Sequence, residues 1–273
     1  IDKQTDYLIE NLRLKIRVIA ISNSRKMLLN DESISLKNWK SQLDKSDIKA
    51  DRNVFFEHAK KLNLRNSIFI DNTANEVIAK EYARYLNNSI GIVTCNKIAA
   101  ADELSNYKNL KKISRKYGSP FLFETNVGAG LPIIDTLNNL IASGDQIIKI
   151  QAVLSGSLNF VFNNFKKGSS FHDVVLEAQK EGYTEPDPKI DLSGIDVARK
   201  ILILARESGL SIELDEIQNE SFLPQECLNT KNNEEFFESL KKYSGHFDKL
   251  VEDADKNNAK LKYVAQLEGG KAK

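Results

Sequence analysis

The order of apolar patterns in the first half of the chain is the strongest constraint on its fold. Apolar runs at 15–21 (KIRVIAI, rich in β-branched residues), 67–70, 90–94 and 121–124 read as strands. Helical periodicities at 36–43, 54–62, 76–86 and 103–117 separate them. A parallel strand pair needs a long crossover, and a helix supplies one, so this alternation predicts a parallel sheet with helices on its faces. Past residue 130 the texture changes. Strands are expected at 146–155, 211–217 and 260–267, and helices at 131–142, 156–165, 171–181, 195–205, 234–242 and 247–257. That half reads as α+β, with helices on one face of a sheet. The chain of 273 residues, 41% apolar, is long enough for two modest cores, one over 1–130 and one over 131–273.

In open parallel sheets, ligands bind beyond the carboxyl ends of the strands. Polar clusters fall there at 22–25 (SNSR), 71–73 (DNT) and 96–97 (NK). A dinucleotide along this edge is the natural expectation, touching Ser22, Arg25, Thr73, Asn96 and Lys97 in a Rossmann-type nucleotide domain. An NAD-selective site puts an acidic residue after the second strand to bond the ribose hydroxyls. Here Ser-Asn-Ser-Arg stands in that place, so Arg25 meeting a 2′-phosphate tips the expectation towards NADP over NAD. The first strand and its Gly-rich turn, which would seat the pyrophosphate, are absent. At the other end the chain stops at Gly-Gly-Lys-Ala-Lys, where a hairpin would turn back. Both ends therefore read as cut short.

The stretch 181–203, EGYTEPDPKIDLSGIDVARKILI, concentrates the chemistry. Pro186 and Pro188 fix φ and are expected to keep an acidic loop out of helix. A helix follows, capped by Asp191 or Ser193, with Ile195, Ala198, Ile201, Leu202 and Ala205 on its apolar side. Asp196 and Lys200 are four apart and share a face. Glu185, Asp187, Asp191 and Asp196 beside one lysine would suit a small zwitterion with a reacting oxygen. A surface turn followed by a solvated ion pair fits the same spacing. The stretch 125–132, TNVGAGLP, allows tight backbone and positive φ. It reads equally as a hinge, a close approach to a ligand, a ring of carbonyls around a cation, or a plain turn.

Several classes are excluded by composition. With 39 basic and 38 acidic residues, no basic excess exists to neutralise nucleic-acid phosphates. No long apolar run or secretory segment appears, so no membrane association is expected. Cys95 and Cys227 lie far apart, and His58, His172 and His246 are scattered, so neither a side-chain metal site nor a His-based triad is expected. This usage is expected of a reducing, cytoplasmic setting.

Four motifs in order, IVTCNK, FETNVGAGLPII, LSGSLNFVFNNF and EGYTEPDPKIDLSGIDVARK, resemble homoserine dehydrogenase. The likeness is closest to the dehydrogenase half of the bifunctional aspartokinase–homoserine dehydrogenases and is clearest over 90–210. It implies NAD(P)-linked interconversion of L-homoserine and L-aspartate 4-semialdehyde, on the route to threonine and methionine. It implies a substrate-binding and dimerisation role for the second domain, a homodimer, and a fused aspartokinase. Lys200 matches the family's acid/base lysine, and Lys97 its lysine at the nicotinamide and substrate. Glu185 matches the residue that holds the substrate amino group, and Asp191 and Asp196 match motif acids. Reduction of an aldehyde needs a proton at oxygen as hydride reaches carbon, and two lysines from opposite domains would meet for this on closure. The family's glycine turn implies main-chain ligation of a monovalent cation such as sodium by Glu124, Val127, Ala129 and Leu131. Two other readings are a non-catalytic scaffold half and a thiol-dependent semialdehyde dehydrogenase, which would use Cys95.

Overall fold

The computed structural model describes all 273 residues, Ile1–Lys273. The chain divides into two compact units. The first comprises Ile1–Ile70, Glu81–Ile92 and Ile113–Phe121; the second comprises Asp71–Lys80, Val93–Lys112 and Leu122–Lys273. In chain order the elements begin with α1 (Thr5–Leu12), β1 (Ala20–Ser22), β2 (Met27–Leu29), α2 (Trp39–Lys45), α3 (Arg52–Leu62) and β3 (Ile68–Asp71). They continue with α4 (Glu76–Ala79), α5 (Tyr82–Leu86), β4 (Gly91–Thr94), α6 (Leu104–Tyr117) and β5 (Phe121–Leu122).

The class read from the sequence holds: this is an α/β chain with a parallel sheet. Strands β3, β4 and β5 lie in that order. The amides of Gly91 and Cys95 donate to Ser67 O (2.9 Å) and Asp71 O (3.1 Å), an equal offset that defines a parallel pair. The run 15–21 departs from expectation. Only its end pairs, as β1, and antiparallel to β2 in a separate ribbon, with Ala20 opposite Leu29 and Ser22 opposite Met27. Asn23 is the reason: its Oδ1 accepts from the amides of Arg25 and Lys26, both at 2.8 Å, and so turns the chain back on itself. Aromatic packing holds the first unit. Phe69 stacks on Tyr85 at 4.2 Å, Phe56 meets Tyr85 edge-on at 5.0 Å, and the Arg84 guanidinium lies 3.9 Å over Phe56.

The second unit continues with α7 (Ile133–Ala142), β6 (Lys149–Ala152), α8 (Gly156–Asn164), α9 (Phe171–Lys180), α10 (Pro188–Leu192) and α11 (Ile195–Glu207). It ends with α12 (Gln225–Leu228), α13 (Asn233–Lys242), α14 (Ser244–Lys256), β7 (Ala265–Glu268) and β8 (Lys271–Ala272). Strand β7 pairs antiparallel with β6 and β8, and Gly269 and Gly270, at φ 59° and 76°, make the two-residue turn between β7 and β8. Helix α11 is the core of this unit: Val197, Ala198 and every residue from Ile201 to Glu207 are buried. It packs on α7, α10, β7 and β8.

Three local expectations fail here for physical reasons. The loop after Pro186 is helical from Pro188, because proline at a first helical position gives up no bond and Asp187 caps it, accepting from Lys189 N at 3.0 Å. Helix α11 is headed neither by Asp191 nor by Ser193 but by Gly194 at φ 78°. The expected strand at 211–217 is instead a 3-10 turn, Leu214–Glu216. Glu213 N donates to the Glu216 carboxylate at 2.7 Å, and this local capping competes with pairing. No helix in the chain is long and apolar enough to cross a membrane.

Candidate active site

The site is built on two elements of the second unit, the loop after β4 and the first turns of α11. Lys97 follows β4; Asp196 and Lys200 lie one turn apart on α11. All three converge. Asp196 Oδ2 pairs with Lys200 Nζ at 2.7 Å, and Asp196 Oδ1 pairs with Lys97 Nζ at 3.3 Å. The two lysines therefore share one carboxylate within one unit, and no closure is needed to bring them together. Lys200 is the more enclosed, its side chain 16% exposed against 32% for Lys97, and it also donates to Leu154 O at 2.7 Å. Burial pushes the Asp196 carboxyl up, but the hydrogen bond to Lys200 and the charges of Lys200 and Lys97 outweigh it and hold the group below its ordinary 3.8.

A second string of hydrogen bonds starts beside Leu154. Ser155 caps α8, accepting from Leu158 N at 3.1 Å. Its hydroxyl lies 2.9 Å from that of Ser157, which donates to Asp191 Oδ1 at 3.0 Å. Asp191 Oδ2 accepts from Glu185 N at 2.8 Å. Asp191 thus anchors the loop, while the Glu185 side chain stands exposed. Tyr183 stacks on Phe160 at 4.2 Å and holds the same loop from its other end.

The loop after β4 is fixed from beneath by a buried pair. Asp71 Oδ1 accepts from Thr73 N at 2.8 Å, and Asp71 Oδ2 accepts from Asn96 Nδ2 at 3.1 Å. Asn96 Nδ2 also donates to Asn75 O, and its Oδ1 accepts from Ile98 N, both at 3.1 Å. Asn96 is 2% exposed. Its amide pins the loop from within, where the expectation had it facing a cofactor. Thr73, past the end of β3, is exposed, and Lys97, past the end of β4, is half-buried.

Comparison with known proteins decides the family. The family description "Homoserine dehydrogenase" matches residues 132–273, and "Homoserine dehydrogenase, NAD binding domain" matches residues 1–124. The chain belongs to the homoserine dehydrogenase family. It is 40% identical to a bifunctional aspartokinase/homoserine dehydrogenase of Haemophilus influenzae, over 100% of this chain and 33% of that protein. It is 38% identical to a homoserine dehydrogenase of Schizosaccharomyces pombe, over 92% of this chain and 69% of that protein. The chain thus spans about a third of the length of the bifunctional relatives it matches. In fold it is similar to a hyperthermophilic archaeal homoserine dehydrogenase in complex with NADPH, with a TM-score of 0.67 and 22% identity, over 98% of this chain and 75% of that one.

Within this member of the family the remaining expected residues are placed as follows. Ser22 and Arg25 lie in the first unit, on the antiparallel ribbon and its turn, and both are exposed. They are therefore not at the end of a strand of the parallel sheet. The Glu124 carboxylate heads α7, accepting from Ile134 N and Asp135 N, both at 2.8 Å. Val127 is fully buried, and Ala129 sits at φ 52° next to Gly128 at φ 82°. Leu131 O accepts from Ile133 N at 2.9 Å. No group of three or more His, Cys, Asp or Glu side chains could hold a metal ion.

Sequence reasoning missed the Ser155–Ser157 hydroxyls and the pair Arg206 and Glu207. The last two had a signal: charges inside the apolar run ILILARE must be partnered if the helix is buried.

Proposed function

We propose that this chain interconverts L-homoserine and L-aspartate 4-semialdehyde with a nicotinamide cofactor. One observation carries the reading: two lysine ammonium groups meet on a single carboxylate, Asp196. The residues present fit a nicotinamide group. The parallel strands β3 and β4 end in loops tied together by Asp71 and Asn96, and the exposed Thr73 and the half-exposed Lys97 stand on that edge. Thr73 and Lys97 would hold the cofactor there. In the first unit the exposed Ser22 and Arg25 suit a ribose phosphate, and Arg25 favours NADP. When bound, the cofactor supplies or accepts the hydride.

The residues of the chain do the rest. In the reducing direction Lys200 donates a proton to the aldehyde oxygen as carbon gains hydride; in the oxidising direction neutral Lys200 takes the hydroxyl proton. Asp196 stays ionised, aims both ammonium groups and does not itself react. Lys97 adds positive charge where oxygen becomes negative. Glu185 pairs with the substrate ammonium from a loop that Asp191 orients.

A monovalent cation at 124–131 would depend on main-chain oxygens. Those of Glu124, Val127, Ala129 and Leu131 are the candidates; the Glu124 carboxylate itself heads α7, and no step uses a cation. The exposed Ile148 and Val153 flanking β6 support a homodimer through the β6–β8 sheet, and the bifunctional relatives support a fused aspartokinase. The free thiols of Cys95 and Cys227 support a reducing, cytoplasmic setting.

The test is absorbance at 340 nm with the intact protein. Homoserine-dependent formation of NADPH, and its consumption with aspartate semialdehyde, are expected. No turnover in either direction with NADP or NAD would return the chain to a scaffold role.

A further inference from the structure

Helix α11 carries a second set of charges below the lysine site. Arg206 is 4% exposed and Glu207 7%. Arg206 follows Lys200 by roughly 9 Å along the axis at the usual helical rise. Its guanidinium reaches into the turn that Lys97 begins. That turn is closed by Ala101 N donating to Lys97 O at 2.9 Å. Arg206 Nη1 donates to Ala100 O at 3.1 Å and to Asp102 O at 2.6 Å. Its Nε donates to Ile212 O at 3.1 Å, and its Nη2 to Glu213 Oε2 at 2.9 Å. Glu213 in turn accepts from Leu104 N at 2.9 and 3.0 Å and so heads α6.

Stability gives no sufficient reason for such an arrangement. The Arg206 side chain is fully buried, but its carboxylate partner Glu213 is 43% exposed, and a pair open to solvent adds little. Geometry does give one. A planar fork with five donors can hold several carbonyls in fixed directions at once, which an ammonium on a flexible stem cannot do. Two of the three carbonyls it holds, those of Ala100 and Asp102, lie in the segment that follows Lys97, and the helix it stands on carries Asp196 and Lys200. Helix α11 is therefore a ruler between the two lysines, with Arg206 as the stop at its far end.

We propose that Arg206 is a positioning residue: by clamping the turn after Lys97 onto α11, it sets where the Lys97 ammonium meets the Asp196–Lys200 pair. The proposal rests on the function proposed above. It is tested with Arg206→Lys and Arg206→Gln in the intact protein, each made in the wild-type and Lys97→Ala backgrounds and followed by single turnover of homoserine with NADP. In the wild-type background Arg206→Lys should lower the rate ~10- to 100-fold, the scale of an ångström-sized misplacement. The homoserine concentration for half-maximal rate should stay within about twofold, as expected when transition-state alignment and not binding is lost. In the Lys97→Ala background the same change should cost less than about twofold, since its target is gone. Arg206→Lys carries the test even where Arg206→Gln does not fold. An unchanged rate in Arg206→Lys, or an equal loss in both backgrounds, overturns the positioning role. A wild-type protein that does not oxidise homoserine overturns the function itself and is distinguished by the first assay.

Discussion

Asp196 is the residue on which the site turns. An isolated surface ion pair is worth about 0–1 kcal/mol, and the i,i+4 spacing to Lys200 alone promised no more than that. What the spacing could not show is the third partner, because Lys97 lies a hundred residues earlier in sequence and meets Asp196 only through the packing of α11. The acid limb of stability follows from this geometry. Asp196 is held below its ordinary 3.8, burial opposing and the two lysines prevailing. A carboxyl depressed in the folded state stabilises fully above its unfolded value and loses that contribution as pH falls through the folded one. Urea unfolding of wild type and Asp196→Asn should therefore differ by a constant amount from pH 7 down to about 4, and the gap should close only below 3.8. A gap that closed between pH 5 and 7 would mean that Asp196 is not ionised beside its lysines.

At the scale of elements, what was legible depended on whether the information was local. The alternation of β3, β4 and α6 was written in apolar period, and so was the apolar face of α11. The ends of elements were not. The run at 15–21 has the composition of a strand, yet Asn23 folds it into a ribbon with β2, and Glu213 and Glu216 divert 211–217 into a capped turn. The start of α11 was misread because its cap is backbone conformation and not a side chain. Gly194 takes φ 78°, and a Cβ there would lie 2.1 Å from Tyr263 Oη and 2.7 Å from Asn219 Oδ1. Tyr263 donates to Asn219 Oδ1 at 2.5 Å, and Asn219 donates to Ser193 O at 3.0 Å, so this small network latches the head of the helix. Gly194→Ala should cost about 1–3 kcal/mol, from the positive φ and the displaced tyrosine together. Thermal unfolding should show it as a lowered Tm. An unchanged Tm would mean that the turn relaxes freely.

At the scale of the whole molecule, the site is a product of distant parts. The motifs at 90–97, 154–158 and 185–200 are separate in sequence, and the structure of the second unit collects them around Asp196 and Asp191. The family resemblance implied that the two lysines would meet only on closure of opposite domains; packing joins them on Asp196 within one unit. Arg206 and Glu213, which hold that pair's two supports together, belong to no motif; a charge inside an apolar run was the one sign of Arg206. The central claim is that Lys200, aimed by Asp196, moves the proton at the substrate oxygen. Its most direct test is the kcat of Lys200→Ala for homoserine oxidation, set beside the Kd for NADPH of the same variant. We expect kcat to fall by roughly 10²- to 10⁴-fold, the usual worth of a general acid/base, with Kd for NADPH within about twofold of wild type. A variant with near-normal kcat would contradict the account.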